Sequence, residues 1–333
     1  MQPHTMHAVV VSHFGEPEVL EIRDLPIPQP EAGHVLINVA YSGVNYAELM
    51  ARRGEYHALP TPFIPGYEVS GTIAVLGAGV EAFRVGQSVA ALTLQGGYAQ
   101  YATAQAALTF PLDAFESRLD MKQAAAFPAV ATTAYDLLAN AARLRRGERV
   151  LIHAASGGVG IAAGQIARAL GARLVLGTAS NEEKTAYART FGYDQVFPVQ
   201  GFEQAVLDVT GGKGIDIALD ARGEPTRSQN LALLAPFGRL VVYGNASNAP
   251  EQAVLPSSLW QTNKAIIGYS ITSLSRTAPH LIAETVQQVI RLMAEGSLSI
   301  DISATLPLEQ AAEAHRRMES RAHVGKLLLR VQE

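Results

Sequence analysis

No cysteine occurs in the 333 residues, which excludes disulfides, thiolate metal ligands and a cysteine nucleophile. A reducing cytoplasm fits that lack and is the expected location. Charge is also sparse. Charged residues make up 17% of the chain, the formal net charge is −4, and no Lys/Arg run offers a footprint for nucleic acid or an acidic membrane. Neither is an expected partner. No apolar run reaches the length needed to span a bilayer, and residues 1–11 lack the basic-then-apolar order of a signal peptide. Fixed-period repeats and low-complexity segments are absent too.

What is present is apolar residue, 48% of a chain long enough for two domains sharing a cleft. The first third alternates short β-rich runs with turn residues, at 7–14, 19–27, 35–41, 68–76, 88–92 and 98–102. That texture predicts a partly open β-barrel. From about Phe127 strands alternate with helix-period segments, the pattern of a parallel sheet with helical crossovers. Six strands are read, at 149–155, 173–179, 195–199, 216–221, 239–245 and 265–271, with helices opening near Val159, Asn181, Phe202, Pro225 and Pro256. The fold class is therefore α/β, a doubly wound six-stranded parallel sheet beside a barrel. Helices at 280–295 and 308–320 and a strand at 326–331 close the chain. The expected division is 127–272 for the sheet domain, and 1–126 with 273–333 for a domain built from both termini.

The chemistry-bearing turn runs from Ala154 to Gly160. A buried-strand run leads into Ser156, Gly157, Gly158, Val159 and Gly160, and a helix follows. Ala155, Gly157 and Gly160 take the small-residue positions of a G-x-G-x-x-G turn, with Ala for the first Gly. Gly157 lets backbone approach a pyrophosphate, Gly160 lets the helix pack on the strand, and the helix N-terminus offers free N–H groups. A dinucleotide is the ligand this implies. An NAD site places a carboxylate at the end of the second strand, and here that end carries Thr178 and Ser180, with Lys184 one turn further on. The missing carboxylate and the added cation favour the 2′-phosphate of NADPH; the lesser alternative for Lys184 is a solvated helix residue beside Glu182 and Glu183. His153, within the strand, is read as a core residue.

Several stretches together resemble one family: Ser42-Gly-Val-Asn-Tyr-Ala-Glu48, Pro65-Gly-Tyr-Glu-Val-Ser-Gly71, Thr132-Thr-Ala-Tyr135, residues 154–160 and 177–184, Asp220-Ala-Arg-Gly223, Tyr243-Gly-Asn245 and Gly325-Lys-Leu-Leu-Leu329. The chain resembles the zinc-independent, ζ-crystallin-like quinone oxidoreductase branch of the medium-chain dehydrogenase/reductase superfamily. The resemblance implies a GroES-like barrel and a Rossmann domain. It puts Asn45 at the position of a zinc-binding Cys and Tyr67 at that of a zinc-binding His, so no metal is expected. Metal binding by the His4/His7 pair is not expected either.

The resemblance further places Asn45, Thr133 and the Tyr243, Gly244, Asn245 turn around the nicotinamide, and brings Lys326 toward the cofactor. Tyr56 and Tyr46 are the candidate hydroxyls for the oxyanion formed as hydride arrives, Tyr56 standing where the family has a substrate-facing Tyr. Glu48 is read as an anchor of the first helix. The expected substrate is a small electrophile: a quinone first, or else an activated C=C bond in an enone, enal or enoyl thioester. A catalytically idle NADPH-binding sensor or structural protein is the reading from another class. The apolar strand 265–271, exposed at a sheet edge, predicts a homodimer.

Overall fold

The computed structural model describes residues 4–55, 59–113, 120–320 and 323–332. Two compact units divide the chain: Met1–Ala129 with Thr272–Ala294 and Ile300–Glu333, and Val130–Ile271 with Glu295–Ser299.

The N-terminal part of the first unit carries β1 (Thr5–Val11), β2 (Leu20–Pro26), β3 (His34–Val44), α1 (Tyr46–Arg53), β4 (Glu68–Leu76), β5 (Ser88–Leu92), β6 (Tyr101–Gln105), β7 (Thr109–Pro111) and α2 (Met121–Ala126). Strands β1 and β2 form an antiparallel ribbon. Alternate residues of four other strands, Val35, Ile37 and Val39, Val69 and Ile73, Val89 and Ala91, Ala102 and Ala104, make one core cluster, as period-2 geometry requires. Strand β6 begins three residues later than its apolar run suggested. Tyr98 is buried outside it, its N–H donating to the Pro65 carbonyl.

The second unit opens with α3 (Val130–Tyr135), which continues into a wide π-helical turn over Asp136–Ala141. It then alternates strands and helices: β8 (Arg149–Ile152), α4 (Gly158–Ala169), β9 (Leu174–Ala179), α5 (Glu182–Arg189), β10 (Gln195–Pro198), α6 (Phe202–Thr210), β11 (Ile215–Asp220), α7 (Thr226–Leu233), β12 (Leu234–Val242), α8 (Pro256–Thr262) and β13 (Ala265–Gly268). The sheet order is β10-β9-β8-β11-β12-β13, with every pairing parallel. The first strand of this unit thus lies between the second and the fourth. The chain reverses its direction of travel across the sheet there, which in such sheets opens the ligand crevice at the strands' C-terminal ends. Buried on both faces, β8 reads as the continuous run Val150, Leu151 and Ile152, all with no exposure.

Strands β8, β12 and β13 each stop three residues before the expected end, and β12 starts five residues early, at Leu234; β8 and β13 stop for local reasons. Strand β8 stops at Ile152 because the chain turns at Ala154, whose φ is +54°. Strand β13 stops at Gly268 because Ile271 already opens a helix, α9 (Ile271–Thr277). The return to the first unit adds α10 (Pro279–Ala294), β14 (Ile302–Pro307), α11 (Ala311–Glu319) and β15 (Lys326–Arg330). Its sheet runs β14-β15-β3-β4-β5-β7, with β6 also on β3. The last strand therefore pairs with β3, and Leu327 lies opposite Val44, just ahead of Asn45. Among the described residues no helix is long and apolar enough to cross a membrane.

Candidate functional site

The turn after β8 is held shut by backbone. Gly157 N–H and Ala155 N–H donate to the carbonyls of Ala154 and Thr178 at 3.0 Å each. A Cβ at Gly160 would fall 2.3 Å from the Ala154 carbonyl oxygen, so only glycine fits, whereas one at Gly157 would meet nothing closer than 3.5 Å. The space beside Gly157 is where a ligand can approach. Gly157 is also the N-cap of α4 and brings no side chain to cap it. The first-turn N–H groups at Gly158, Val159 and Gly160 thus have no side-chain acceptor from the N-cap, and a phosphate fits that need. Helix α5 contrasts: Asn181 Oδ1 accepts the Lys184 N–H at 2.9 Å, so its own side chain caps that end.

Around the turn, Tyr193 is wedged between two glycines. Cβ atoms at Gly164 and Gly177 would come within 2.5 and 2.8 Å of its ring, and its hydroxyl donates to the Gly160 carbonyl at 2.6 Å. Thr178 is buried, and its hydroxyl donates to His153 Nδ1 at 2.8 Å while His153 Nε2–H donates to Asn230 Oδ1 at 2.7 Å. Burial pulls the His153 pKa down to about 4, so the ring is neutral and spans β8, β9 and α7 as a bracket. At the end of β9, Ser180 is exposed, whereas Ser156 and Lys184 are buried.

Two further loops at the same strand ends are cross-braced. After β11, the buried Asp220 accepts from the Arg222 and Gly223 N–H groups and from Arg227 Nε at 3.0 Å. Arg227 also donates to Glu251 at 2.7 Å and to the Gly244 carbonyl at 2.8 Å, tying α7 to the turn Tyr243, Gly244, Asn245. Gly223 sits at φ +86°, a conformation that favours glycine, and a Cβ there would lie 1.8 Å from Asn245 Oδ1. Thr133 is buried on α3. Tyr269 donates to Asp136 at 2.7 Å and also hydrogen-bonds Thr133, a pairing with a carboxylate that, after burial, raises the phenol's pKa.

In the first unit the candidate Asn45 is the half-buried outermost member of a charged cluster. Glu48, Glu68 and Lys326 behind it are 1%, 0% and 2% exposed, so it alone reaches outward. Lys326 Nζ donates to Asn45 Oδ1 and to Glu68 Oε1, each at 2.5 Å, and Asn45 Nδ2 donates to Glu68 Oε1 at 2.9 Å. Glu68 Oε2 takes the Ala129 N–H at 2.7 Å. Glu48 accepts the backbone N–H of Asn45 at 2.9 Å and of Tyr67 at 3.0 Å, anchoring α1. Burial, with Glu68 adding to it, pushes Glu48 up to about 7 against the pull of Lys326. One cation thus faces two carboxylates, one of which readily keeps its proton.

Zinc does not fit this donor set. Amide and phenol stand at Asn45 and Tyr67, and the Glu68 oxygens are already taken by an ammonium and two N–H groups. Among the described residues no group of three or more His, Asp or Glu side chains is placed to hold an ion. Tyr46 packs partly buried against the cluster of Val9, Val44 and Leu49. Tyr56 lies outside the described residues. Glu68 and Tyr193 carry no sequence signal for a role because their partners lie far along the chain, and Asp220 and Arg227, though close in sequence, carry none because no motif marks a loop brace.

Profiles described as "Alcohol dehydrogenase GroES-like domain" and "Zinc-binding dehydrogenase" match residues 31–114 and 158–295. Human quinone oxidoreductase is 36% identical over 330 residues, 97% of both chains. A mycobacterial protein solved in complex with NADPH superposes with a TM-score of 0.90 at 32% identity, covering 98% of this chain and 100% of that one. Escherichia coli quinone oxidoreductase complexed with NADPH superposes with a TM-score of 0.89 at 28% identity, over 98% and 99% of the two chains. Barrel, parallel sheet and glycine turn agree with these likenesses along nearly the whole length, and the chain belongs to the medium-chain dehydrogenase/reductase superfamily as an oxidoreductase related to the quinone oxidoreductases.

Proposed function

We propose that the chain is an NADPH-dependent reductase that delivers hydride to a quinone without zinc. The observation that carries the cofactor in this reading is the uncapped start of α4 at Gly157, beside a second strand followed directly by the exposed Ser180 and not by a carboxylate. The Gly158, Val159 and Gly160 N–H groups take the pyrophosphate. Ser180 and Lys184 take the 2′-phosphate. Thr133 and the turn Tyr243, Gly244, Asn245 orient the nicotinamide end. The bound cofactor supplies the hydride. The chain supplies orientation, and Asn45 supplies a hydrogen bond to the acceptor. Lys326, committed to Glu68 and Asn45, is not free to donate to the substrate, which suits an acceptor that is already electrophilic. Tyr46 and Tyr56 remain the candidate hydroxyls.

The test follows consumption of reduced nicotinamide against quinones, enones and enoyl thioesters, with NADPH and NADH in parallel and with chelator present. Turnover of quinones with NADPH, unchanged by chelator, supports the reading. Turnover of enones or thioesters alone moves the substrate class. Tight NADPH binding with no turnover of any acceptor favours an idle protein. In Lys184→Ala we expect the preference for NADPH to fall about tenfold, from loss of one charge-assisted contact worth about 1.4 kcal/mol.

A further inference from the structure

Glu68 is buried completely and is built into the fold at some cost. The strand position opposite it is Gly43, where a Cβ would lie 2.3 Å from Glu68 Oε1, so β3 gives up a side chain to make room for the carboxylate. Both carboxylate oxygens then work only as acceptors, Oε1 from Lys326 Nζ and Asn45 Nδ2, Oε2 from the Ala129 N–H. Lys326 in turn grips Asn45 Oδ1. The two ends of the Asn45 amide are therefore read by opposite partners, its oxygen by the ammonium and its nitrogen by the carboxylate. Flipping the amide would set Nδ2 against the ammonium and Oδ1 against the carboxylate, two repulsive contacts in a buried place. A carboxylate and a cation this deep are also costly to desolvate, and an apolar pair would fill the space more cheaply. Glu48, Glu68 and Lys326 are all buried, and Asn45 is the member of the cluster that keeps some exposure.

We infer that Glu68, with Lys326, is a positioning residue that fixes the orientation of the Asn45 amide for the reaction. This rests on the role proposed above for Asn45. The amide Glu68→Gln has the same shape but one accepting oxygen, so it can serve Ala129 or the Lys326/Asn45 pair and not both.

The test is a double-mutant cycle in NADPH-dependent reduction of para-benzoquinone. Glu68→Gln is expected to lower kcat about tenfold while NADPH affinity, measured by fluorescence titration, stays within about twofold, since Asn45 and the phosphate turn are separate demands. In an Asn45→Ala background the same substitution should change kcat by less than about twofold. Equal losses in both backgrounds would mean that Glu68 only supports the fold, and would overturn the inference. Should Glu68→Gln not fold, Lys326→Arg carries the same cycle, its planar head keeping the charge but misplacing it. One readout does not depend on turnover: in asparagine-labelled protein the Asn45 side-chain amide gives one sharp pair of resonances, which Glu68→Gln moves or broadens. An unmoved pair refutes the positioning role. Wild-type protein that turns over no quinone while Glu68→Gln moves the pair instead sinks the proposed activity and leaves the geometry standing.

Discussion

At the scale of single residues, small side chains are demanded for two different reasons that look alike in sequence. Gly160 is excluded from having a Cβ by its own turn, and the G-x-G-x-x-G spacing makes that legible. Gly164 and Gly177 are small because of neighbours met only on folding, the Phe191 carbonyl and the Tyr193 ring at Gly164, the Ala155 methyl and the same ring at Gly177, and nothing local in the sequence announces them. His153 was legible as a core residue from its place in a buried run, but its bracket to Thr178 and Asn230 was not. Its burial has a consequence for pH. The unfolded ring takes its proton near the ordinary 6.5, the folded ring only near 4, so between these values the unfolded chain binds more protons. Stability from this group is full above about pH 6.5 and is lost as pH falls toward 4. His315, held down to about 3 by burial, with Arg52 and Arg53 adding to it, extends the decline. In urea unfolding between about pH 7.5 and about pH 5, His153→Gln should show a shallower loss than wild type. Parallel losses would remove His153 from the account.

At the scale of elements, long periodic segments were the legible ones. The six parallel strands and helices α4 to α8 follow from apolar runs, caps and spacing. The short pieces were missed: β7 is three residues ending in Pro111, β14 alternates weakly, and α3 is rich in Thr and Ala. The braces between elements were missed as well, Arg227 above all, because one guanidinium joining α7, the Asp220 loop and the Gly244 turn has no sequence signature. We expect Arg227→Gln to lower stability by about 3 kcal/mol, since it leaves the buried Asp220 without its cation. Pairing it with Asp220→Asn should cost clearly less than the two single losses together. Thermal and urea melts of the four proteins decide this, and strictly additive losses would mean that the two residues do not act as a pair.

At the scale of the whole molecule, the edge strand β13 has its far side open, with Ala265, Ile266 and Ile267 half-buried. Such an edge pairs readily with a copy of itself about a two-fold axis, and a homodimer is the expected assembly. Light scattering at micromolar concentration should give twice the chain mass, and Ile267→Lys should shift the equilibrium toward monomer. A wild-type monomer under those conditions would falsify the assignment. The bare start of α4 has a consequence of another kind. A helix capped by glycine gives up about a few tenths of a kcal/mol against one with a capping side chain, and a bound phosphate supplies the missing acceptor. The folded state is then linked by mass action to its ligand, gaining about 2.7 kcal/mol at a hundredfold excess over Kd. The melting temperature of this chain would act as a gauge of the total dinucleotide around it, oxidised and reduced alike, since both forms carry the same phosphates.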